Sequence, residues 1–361
     1  MGAERVNAVK TSFFGKGAIS LLPAELQKRG YGRALLVTDR FLFETKVAER
    51  VGDEILKADM EYAIYYEVTP NPTTEVVNEC IQAARALQVD VLVAVGGGSA
   101  IDTCKAVSIV LANGGSVEDY EGEEKSGKRG IPIVAVNTTA GTGSEVTSFY
   151  IVTDSVRHSK MCMVDTNCMV DIAINDTDFM MSMPPGLTAA TGMDAMTHAI
   201  EAALTWKSTP LTDKDAYWAI RAIREYLPAA VRNGSDVKAR EMMAYAQNVA
   251  GMAFSNAGLG MVHAMAHALG GFYNLPHGVC NAVLLPFVLE YNGRFAEASE
   301  RFRRIGDALG VGAAQPDAVT AVVSAVRELS AQVGIPASLR ELKKVKEADF
   351  PALAQLAMAD S

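Results

Sequence analysis

The chain has 361 residues, of which 49% are hydrophobic and 21% are charged, and its formal net charge is −9. This composition is ordinary for a well-packed globular protein with one large or two medium domains. The negative charge argues against nucleic acid or an anionic membrane surface as the main partner. No apolar run reaches the roughly 18 residues that a membrane span needs. The first ten residues also lack the apolar segment of a secretory signal, so we expect a cytoplasmic protein.

The cysteines give no sign of a disulfide framework. They are odd in number, scattered, and include no CxxC pair: Cys80, Cys104, Cys162, Cys168 and Cys280. We therefore expect reduced and mostly buried thiols, which agrees with a cytoplasmic location.

The first half of the chain alternates strand-like and helix-like segments. Short β-branched runs predict buried parallel strands at 34–39, 89–95 and 131–137. Helical patterns lie between them at 73–87 and 100–112. This alternation predicts a doubly wound, mostly parallel, Rossmann-like α/β domain.

The composition changes near Pro184 and Pro185, where alanine, methionine and leucine begin to dominate. Helical periodicity then covers four long segments: 186–205, 211–230, 237–257 and 294–309. Strand signals nearly vanish, so we expect an all-α C-terminal domain. The two prolines mark the boundary, which gives an α/β domain at 1–183 and a helical domain at 184–361.

A glycine-rich turn, formed by Gly96, Gly97, Gly98 and Ser99, joins the second predicted strand to the helix after it. Glycines let the backbone approach a ligand closely, and the helix N-terminus supplies N–H groups for a pyrophosphate. The turn lacks the GxGxxG spacing, because Ile101 stands where the third glycine belongs. A plain tight turn between strand and helix is therefore the alternative.

Two further polar features follow predicted strands. Asp39 ends the first strand, at the carboxyl edge where open α/β sheets bind ligands. A carboxylate there would accept hydrogen bonds from a ribose diol and repel a 2′-phosphate, which predicts NAD over NADP; a helix cap is the equally weighted alternative. The segment 138–145 follows the third strand, and its glycines and hydroxyl groups suit a backbone that wraps a polar ligand, with an ordinary loop as the alternative.

Four of the five histidines lie within residues 198–277, and an aspartate precedes the first of them by one helical turn. The aspartate is Asp194, and the four histidines are His198, His263, His267 and His277. Residues four apart share a helix face, so Asp194 and His198 can converge on one point, as can His263 and His267. One carboxylate with two or three imidazoles suits Fe²⁺ or Zn²⁺ rather than Mg²⁺ or Ca²⁺. The fifth histidine of the chain, His158, lies in a charged stretch and is interpreted as an ordinary core or surface residue.

Both segments that carry these residues lack cations. No lysine or arginine occurs between Lys160 and Lys207, or between Arg240 and Arg294. A phosphorylated or strongly anionic substrate would need such groups, whereas a neutral alcohol or aldehyde would not. Three large residues could supply apolar walls, although a core position is favoured for each: Phe149, Phe254 and Met261.

Four motifs together resemble the iron-containing (group III) alcohol dehydrogenases. They are GGGSAID at 96–102, TTAGTGSEVT at 138–147, AATGMDAMTHAIE at 189–201 and GLGMVHAMAHALGGFYNLPHG at 258–278. The similarity runs from about Phe14 to Met358, and the last two motifs are highly specific. Within that family the chain is most similar to the lactaldehyde reductase and 1,3-propanediol dehydrogenase branch.

The resemblance implies an architecture like that of dehydroquinate synthase, with a nucleotide-binding domain, a helical metal-binding domain and a cleft between them. It assigns Asp194, His198, His263 and His277 as metal ligands and places His267 near the nicotinamide. The residues that it implies for cofactor binding are Asp39, Asn71, Gly96, Gly97, Gly98, Ser99, Asp102, Thr138, Thr139, Thr142 and Lys160. It also implies NAD, Fe²⁺ with Zn²⁺ as the alternative, and a homodimer. The family pattern has a further segment after Ser361, so the closing of the cleft and of the pocket is left open at this point.

These features together predict an NAD-dependent alcohol dehydrogenase or aldehyde reductase for small neutral alcohols, diols or their aldehydes. The metal would act as a Lewis acid on the substrate oxygen, with hydride transfer to or from C4 of the nicotinamide. We expect His267 to relay the proton. Glu201, three residues after His198, is expected in a surface ion pair, with support of a metal ligand as the alternative.

Two other functions remain open at this point. A lyase resembling dehydroquinate synthase would use NAD transiently and bind Zn²⁺, but it would need a basic pocket for a phosphorylated substrate. A non-catalytic metal-binding or nucleotide-binding protein is the second alternative.

Overall fold

The computed structural model describes residues 5–157, 159–312 and 317–360, so His158 lies outside the described residues. The chain divides into two compact units. One contains Asn7–Thr139 and Ser144–Met180, and the other contains Ala140–Gly143 and Met181–Asp360 together with residues 5 and 6. The first unit is α/β and the second is helical.

The α/β unit is built on two sheets. Its strands in chain order are β1 (Thr11–Phe14), β2 (Arg33–Asp39), β3 (Glu61–Val68), β4 (Val91–Gly96), β5 (Gly122–Glu123), β6 (Ile133–Asn137), β7 (Phe149–Asp154), β8 (Ser159–Val164) and β9 (Ile172–Asn175). Six of them form one sheet in the order β1-β9-β6-β4-β2-β3, and every neighbouring pair is parallel. The other three form a small sheet, in which β7 and β8 are antiparallel.

Helices cover both faces of the six-stranded sheet. They are α1 (Leu22–Arg29), α2 (Arg40–Glu44), α3 (Val47–Leu56), α4 (Thr74–Leu87) and α5 (Gly98–Asn113). Successive residues of β4 point to opposite faces. Leu92 and Ala94 therefore join the cluster that contains residues of α4 and α5, whereas Val93 and Val95 join the one with α1 and α3. The predicted doubly wound parallel sheet is confirmed.

The boundaries of the predicted elements shift only slightly in the structure. The three predicted strands are β2, β4 and β6, and the helix predicted at 73–87 is α4. The helix predicted to begin at Ala100 begins at Gly98, within the glycine run. Because the turn itself starts the helix, the backbone N–H groups of the first helical turn belong to the glycine-rich segment.

Among the described residues of the second unit, every regular element is a helix. Its helices are α6 (Pro185–Leu204), α7 (Pro210–Arg232), α8 (Val237–Ala257), α9 (Met261–Tyr273), α10 (His277–Asn292), α11 (Ser299–Ala308), α12 (Ala318–Gln332) and α13 (Phe350–Ala359). The predicted all-α architecture is confirmed. The prediction of a helix at 294–309 was wrong at its start, because a separate 3-10 turn at Ala296–Ala298 precedes α11.

The structure shows the state of the cysteines and the length and apolar character of the helices. All five cysteine side chains are buried and none forms a disulfide. Among the residues that the structure describes, no helix is long and apolar enough to cross a membrane.

Candidate functional site

Three helices of the helical unit carry the four predicted metal ligands. Asp194 and His198 lie one turn apart on α6, His263 lies in the first turn of α9, and His277 begins α10. Each offers one donor atom, and the four atoms lie within 4.8 Å of one another. Oδ1 of Asp194 lies 4.0, 3.9 and 3.6 Å from the Nε2 atoms of the three histidines in chain order. The predicted set therefore converges on one point.

A glycine allows α10 to begin beside α6. A Cβ atom on Gly278 would lie 2.3 Å from the carbonyl oxygen of Ala190 and 3.3 Å from Cβ of Asp194. Any side chain at this position would push α10 away from α6. The residue after His277 thus sets how closely that histidine approaches the aspartate.

Burial differs among the four donor residues and sets the protonation of His198. Asp194, His198 and His263 are buried, whereas the side chain of His277 is 24% exposed, so the cluster is open to solvent at His277. Burial lowers the pKa of His198 to about 4, although the nearby Asp194 carboxylate raises it. His198 is therefore neutral at pH 7, as a metal ligand must be. Phe254 stacks on the His198 ring, with 4.3 Å between ring centroids.

An amide at the centre of the cluster shows that its acceptor atoms point inward. Nδ2 of Asn281 donates to Oδ1 of Asp194 at 2.6 Å and lies 3.0 and 3.1 Å from Nε2 of His263 and His277. The positive end of one amide dipole thus meets three of the four donor atoms. A site where acceptors converge on one positive group, with three imidazoles and one carboxylate, fits Fe²⁺ or Zn²⁺.

The interpretation of Glu201 as part of a surface ion pair was wrong. Its side chain is buried, and Oε2 lies 2.6 Å from Nδ1 of His263. Burial raises the pKa of Glu201 to about 7, while backbone N–H groups at the start of α9 lower it. The sequence places Glu201 on the same helix as His198, but its contact with His263 arises from the packing of α6 against α9.

His267 lies one turn after His263 on α9 and outside the four-donor cluster. Its ring centroid is 6.1 Å from that of His263, and it stacks on the His277 ring at 5.2 Å. Nδ1 of His267 lies 2.8 Å from Oδ2 of Asp360, a residue just after α13. The Asp360 carboxylate can therefore fix the orientation of this ring.

In the α/β unit, the predicted cofactor residues gather at the carboxyl ends of neighbouring strands. Asp39 ends β2, the glycine turn follows β4 and Thr138 follows β6. The backbone N–H of Thr138 donates to the carbonyl oxygen of Gly96 at 3.1 Å, which joins two of the three segments. Asp39 caps α2, because its Oδ1 accepts a 2.8 Å hydrogen bond from the Leu42 N–H; the predicted cap is confirmed, and it uses one of the two carboxylate oxygens.

Asp102 has partners within the protein. Its carboxylate accepts hydrogen bonds from Ser144 Oγ at 2.6 Å and from the Ile151 N–H at 3.1 Å. The neighbouring Lys105, which the sequence analysis missed, is fully buried, and its Nζ donates to the carbonyl oxygens of Thr147 at 2.8 Å and Phe149 at 2.7 Å. Both residues tie α5 to the segment after the third predicted strand.

The remaining predicted cofactor residues are divided between the two units. Lys160 on β8 donates from Nζ to Oδ1 of Asn71 at 2.9 Å, so these two lie together in the α/β unit. Thr142 belongs to the helical unit, where the neighbouring Gly143 N–H donates to Oε1 of Gln247 at 3.0 Å.

The three residues considered for apolar walls have different environments. Phe254 is buried, as a core position predicts, but its neighbour is the metal-site residue His198. Phe149 is half-buried. The core prediction was wrong for Met261, which is 41% exposed because it begins α9.

Two family models match the chain in succession. One, described as iron-containing alcohol dehydrogenase, matches residues 10–177, and one described as the C-terminal part of the Fe-containing alcohol dehydrogenase family matches residues 188–361. A lactaldehyde reductase from Escherichia coli is 45% identical over 363 residues, which cover 99% of this chain and 94% of the relative. An NAD-dependent methanol dehydrogenase from Bacillus methanolicus is 43% identical over 352 residues, covering 97% and 92%. The crystal structure of a 1,3-propanediol oxidoreductase matches with a TM-score of 0.95 at 42% identity, covering 100% of this chain and 94% of that one.

Proposed function

Since the chain belongs to the iron-containing alcohol dehydrogenase family, we propose that it is an NAD-dependent oxidoreductase of small neutral alcohols, diols or their aldehydes. One observation carries the proposal: the donor atoms of Asp194, His198, His263 and His277 lie within 4.8 Å of one another. We assign these four side chains as the ligands of a divalent metal. A metal bound there supplies a Lewis acid to the oxygen of the substrate. The donor set suits iron, as the family name indicates, with zinc as the alternative.

The absence of cations from the metal-bearing segments supports a neutral substrate. Residues 161–206 and 241–293, which contain all four ligands, include no lysine or arginine. The aromatic ring of Phe254 lies against His198, so one side of the metal cluster is apolar. Two relatives carry names that refer to lactaldehyde and methanol, both small and uncharged. We therefore propose a short alcohol or aldehyde without a phosphate group.

We propose that the α/β unit binds NAD and that the helical unit binds the metal, with the functional boundary at 183/184. The residues that we assign to nucleotide binding are Asp39, Asn71, Gly96, Gly97, Gly98, Ser99, Asp102, Thr138, Thr139 and Lys160 of the α/β unit, together with Thr142 of the helical unit. The N-terminus of α5 supports a pyrophosphate position, because its first N–H groups come from the glycine turn. NAD supplies the hydride acceptor when it is bound.

The charge of Asp39 is expected to set the preference for NAD. In Asp39→Gly, the ratio of kcat/KM for NADP to that for NAD should rise roughly tenfold or more, which corresponds to about 1.4 kcal/mol. The reason is the loss of a carboxylate that accepts from a ribose diol and repels a 2′-phosphate. Steady-state kinetics with both cofactors measures it.

A second variant separates this effect from the cap of α2. Asp39→Asn keeps a good N-cap while it removes the charge. It should show the same change in cofactor preference with less loss of stability. An unchanged ratio in both variants would contradict the assignment of Asp39 to the ribose.

Net reduction of aldehydes is the direct test of the reaction class. With short aldehydes such as propanal and glycolaldehyde, the metal-loaded protein should consume NADH in proportion to the aldehyde reduced. A lyase that uses NAD transiently would show no net consumption, and a non-catalytic binding protein would show no turnover. Turnover of a phosphorylated substrate at constant NADH would reject our proposal in favour of the lyase.

We also propose a cytoplasmic location and a homodimer. The buried thiols support a reducing compartment. Two-fold symmetric dimers are the commonest assembly of soluble enzymes.

A further inference from the structure

The carboxylate of Glu201 on α6 accepts hydrogen bonds from three groups at the start of α9. Oε2 lies 2.6 Å from Nδ1 of His263 and 3.1 Å from the backbone nitrogen of Gly260. Oε1 accepts from the N–H of Val262 at 2.7 Å. Glu201 is only 4% exposed, and His263 is only 2% exposed. One buried carboxylate therefore holds both the histidine ring and the first backbone N–H groups of its helix.

This contact fixes which nitrogen of His263 carries the proton. Both oxygens of Glu201 already accept backbone N–H groups, and Nδ2 of Asn281, an N–H donor, lies 3.0 Å from Nε2 of His263, so this set of contacts places the ring proton on Nδ1. Nε2 is then left with its lone pair, and Nε2 is the atom that lies 3.9 Å from Oδ1 of Asp194 in the donor cluster.

The backbone of α9 leaves space for this arrangement. A Cβ atom on Gly260 would lie 2.8 Å from Oε1 of Glu201, too close for the carboxylate to stay in place. Gly260 has a φ of −141°, an extended conformation that alanine also adopts, so the backbone itself does not require glycine here. Glycine at this position leaves room for the Glu201 carboxylate.

We propose that Glu201 is the positioning residue of the metal site: it holds His263 in the tautomer that presents Nε2 and thereby sets the affinity for the divalent metal. This inference rests on the proposed function, because it takes His263 as a ligand. It extends that function to a residue outside the four-donor cluster. Carboxylates that support a ligating histidine in this way typically contribute 10–100-fold to metal affinity.

Glu201→Gln tests the proposal with little change of shape. Either orientation of the glutamine amide sets an NH₂ group against a hydrogen-bond donor, so the triple contact cannot be maintained. We expect the dissociation constant for Zn²⁺, measured on the metal-stripped full chain by competition with a chromophoric chelator, to rise 10–100-fold. Saturating Zn²⁺ should return kcat toward the wild-type value, because the ligands themselves remain. The matched control is Glu225→Gln on the exposed face of α7, which should leave the affinity unchanged.

A second variant moves the carboxylate without removing it. Gly260→Ala should also weaken Zn²⁺ binding, because the new Cβ displaces Oε1. Gly186→Ala on α6 is its control, since a Cβ there meets no atom within 4 Å.

An unchanged Zn²⁺ affinity in folded Glu201→Gln would overturn the inference. If that variant does not fold, Gly260→Ala decides in its place, and an unchanged affinity there has the same consequence. The proposed function fails by a different result, namely a wild-type protein that binds Zn²⁺ with measurable affinity but oxidises no NADH with any aldehyde. In that case the Zn²⁺ affinities of the wild-type protein and of Glu201→Gln can still be compared.

Discussion

His263→Ala is expected to abolish both metal retention and turnover. The substitution removes one of four donor atoms that lie within 4.8 Å of one another. It also leaves the buried Glu201 carboxylate without the ring nitrogen that lies 2.6 Å away. The loss of a partner from a buried, charge-assisted hydrogen bond costs more than the loss of the bond alone. Metal content after gel filtration and NADH oxidation with a short aldehyde measure the two effects.

The matched control for this variant is His267→Ala, on the same helix and one turn away. It removes an imidazole of similar burial that lies outside the donor cluster. His263→Ala should lose the metal where His267→Ala keeps it. A His263→Ala protein that retained a full equivalent of metal would contradict the ligand assignment.

His267→Ala is expected to keep the metal but to slow turnover by roughly 10²–10⁴-fold, the usual contribution of a positioned acid or base. We propose that His267 moves the proton between the substrate oxygen and solvent, with Asp360 holding Nδ1 at 2.8 Å. The dependence of kcat on pH should therefore change as well as its magnitude. Measurement of kcat across pH 5 to 9 at saturating metal tests this prediction.

A companion variant examines the orientation of the ring. Asp360→Asn keeps the size of the side chain but removes the charge near Nδ1 of His267. We expect kcat to fall by less than in His267→Ala and the dependence of kcat on pH to change as well. Loss of metal in His267→Ala would show that the wrong histidine of the pair has been assigned as a ligand.

Local patterns in the sequence were sufficient for the α/β unit and for the pairing of Asp194 with His198, whereas the choice of His277 over His267 as a ligand came from the family resemblance. Strands such as β4 are buried on both faces, so their apolar runs are continuous and easily recognised. The spacing of Asp194 and His198 on one helix face required only helical periodicity.

Features that depend on the packing of distant segments could not be predicted. Glu201 was placed at the surface because its neighbours in sequence do not reveal that α9 packs on it. Lys105 is buried because the carbonyl oxygens of Thr147 and Phe149 surround its ammonium group, and those residues follow a later strand. Asn281 carried a usable signal, since it lies four residues after His277 on α10, the spacing that revealed the aspartate on α6.

Restoration of metal to stripped protein is the measurement that tests the central claim most directly. The full chain would be stripped with a chelator under anaerobic conditions, reloaded separately with Fe²⁺ or Zn²⁺, and assayed for NADH oxidation with a panel of short aldehydes. We predict that the stripped protein is inactive and that one of the two metals restores turnover. Full activity of the stripped protein, or no NADH oxidation with any aldehyde after either metal has bound, would contradict the account.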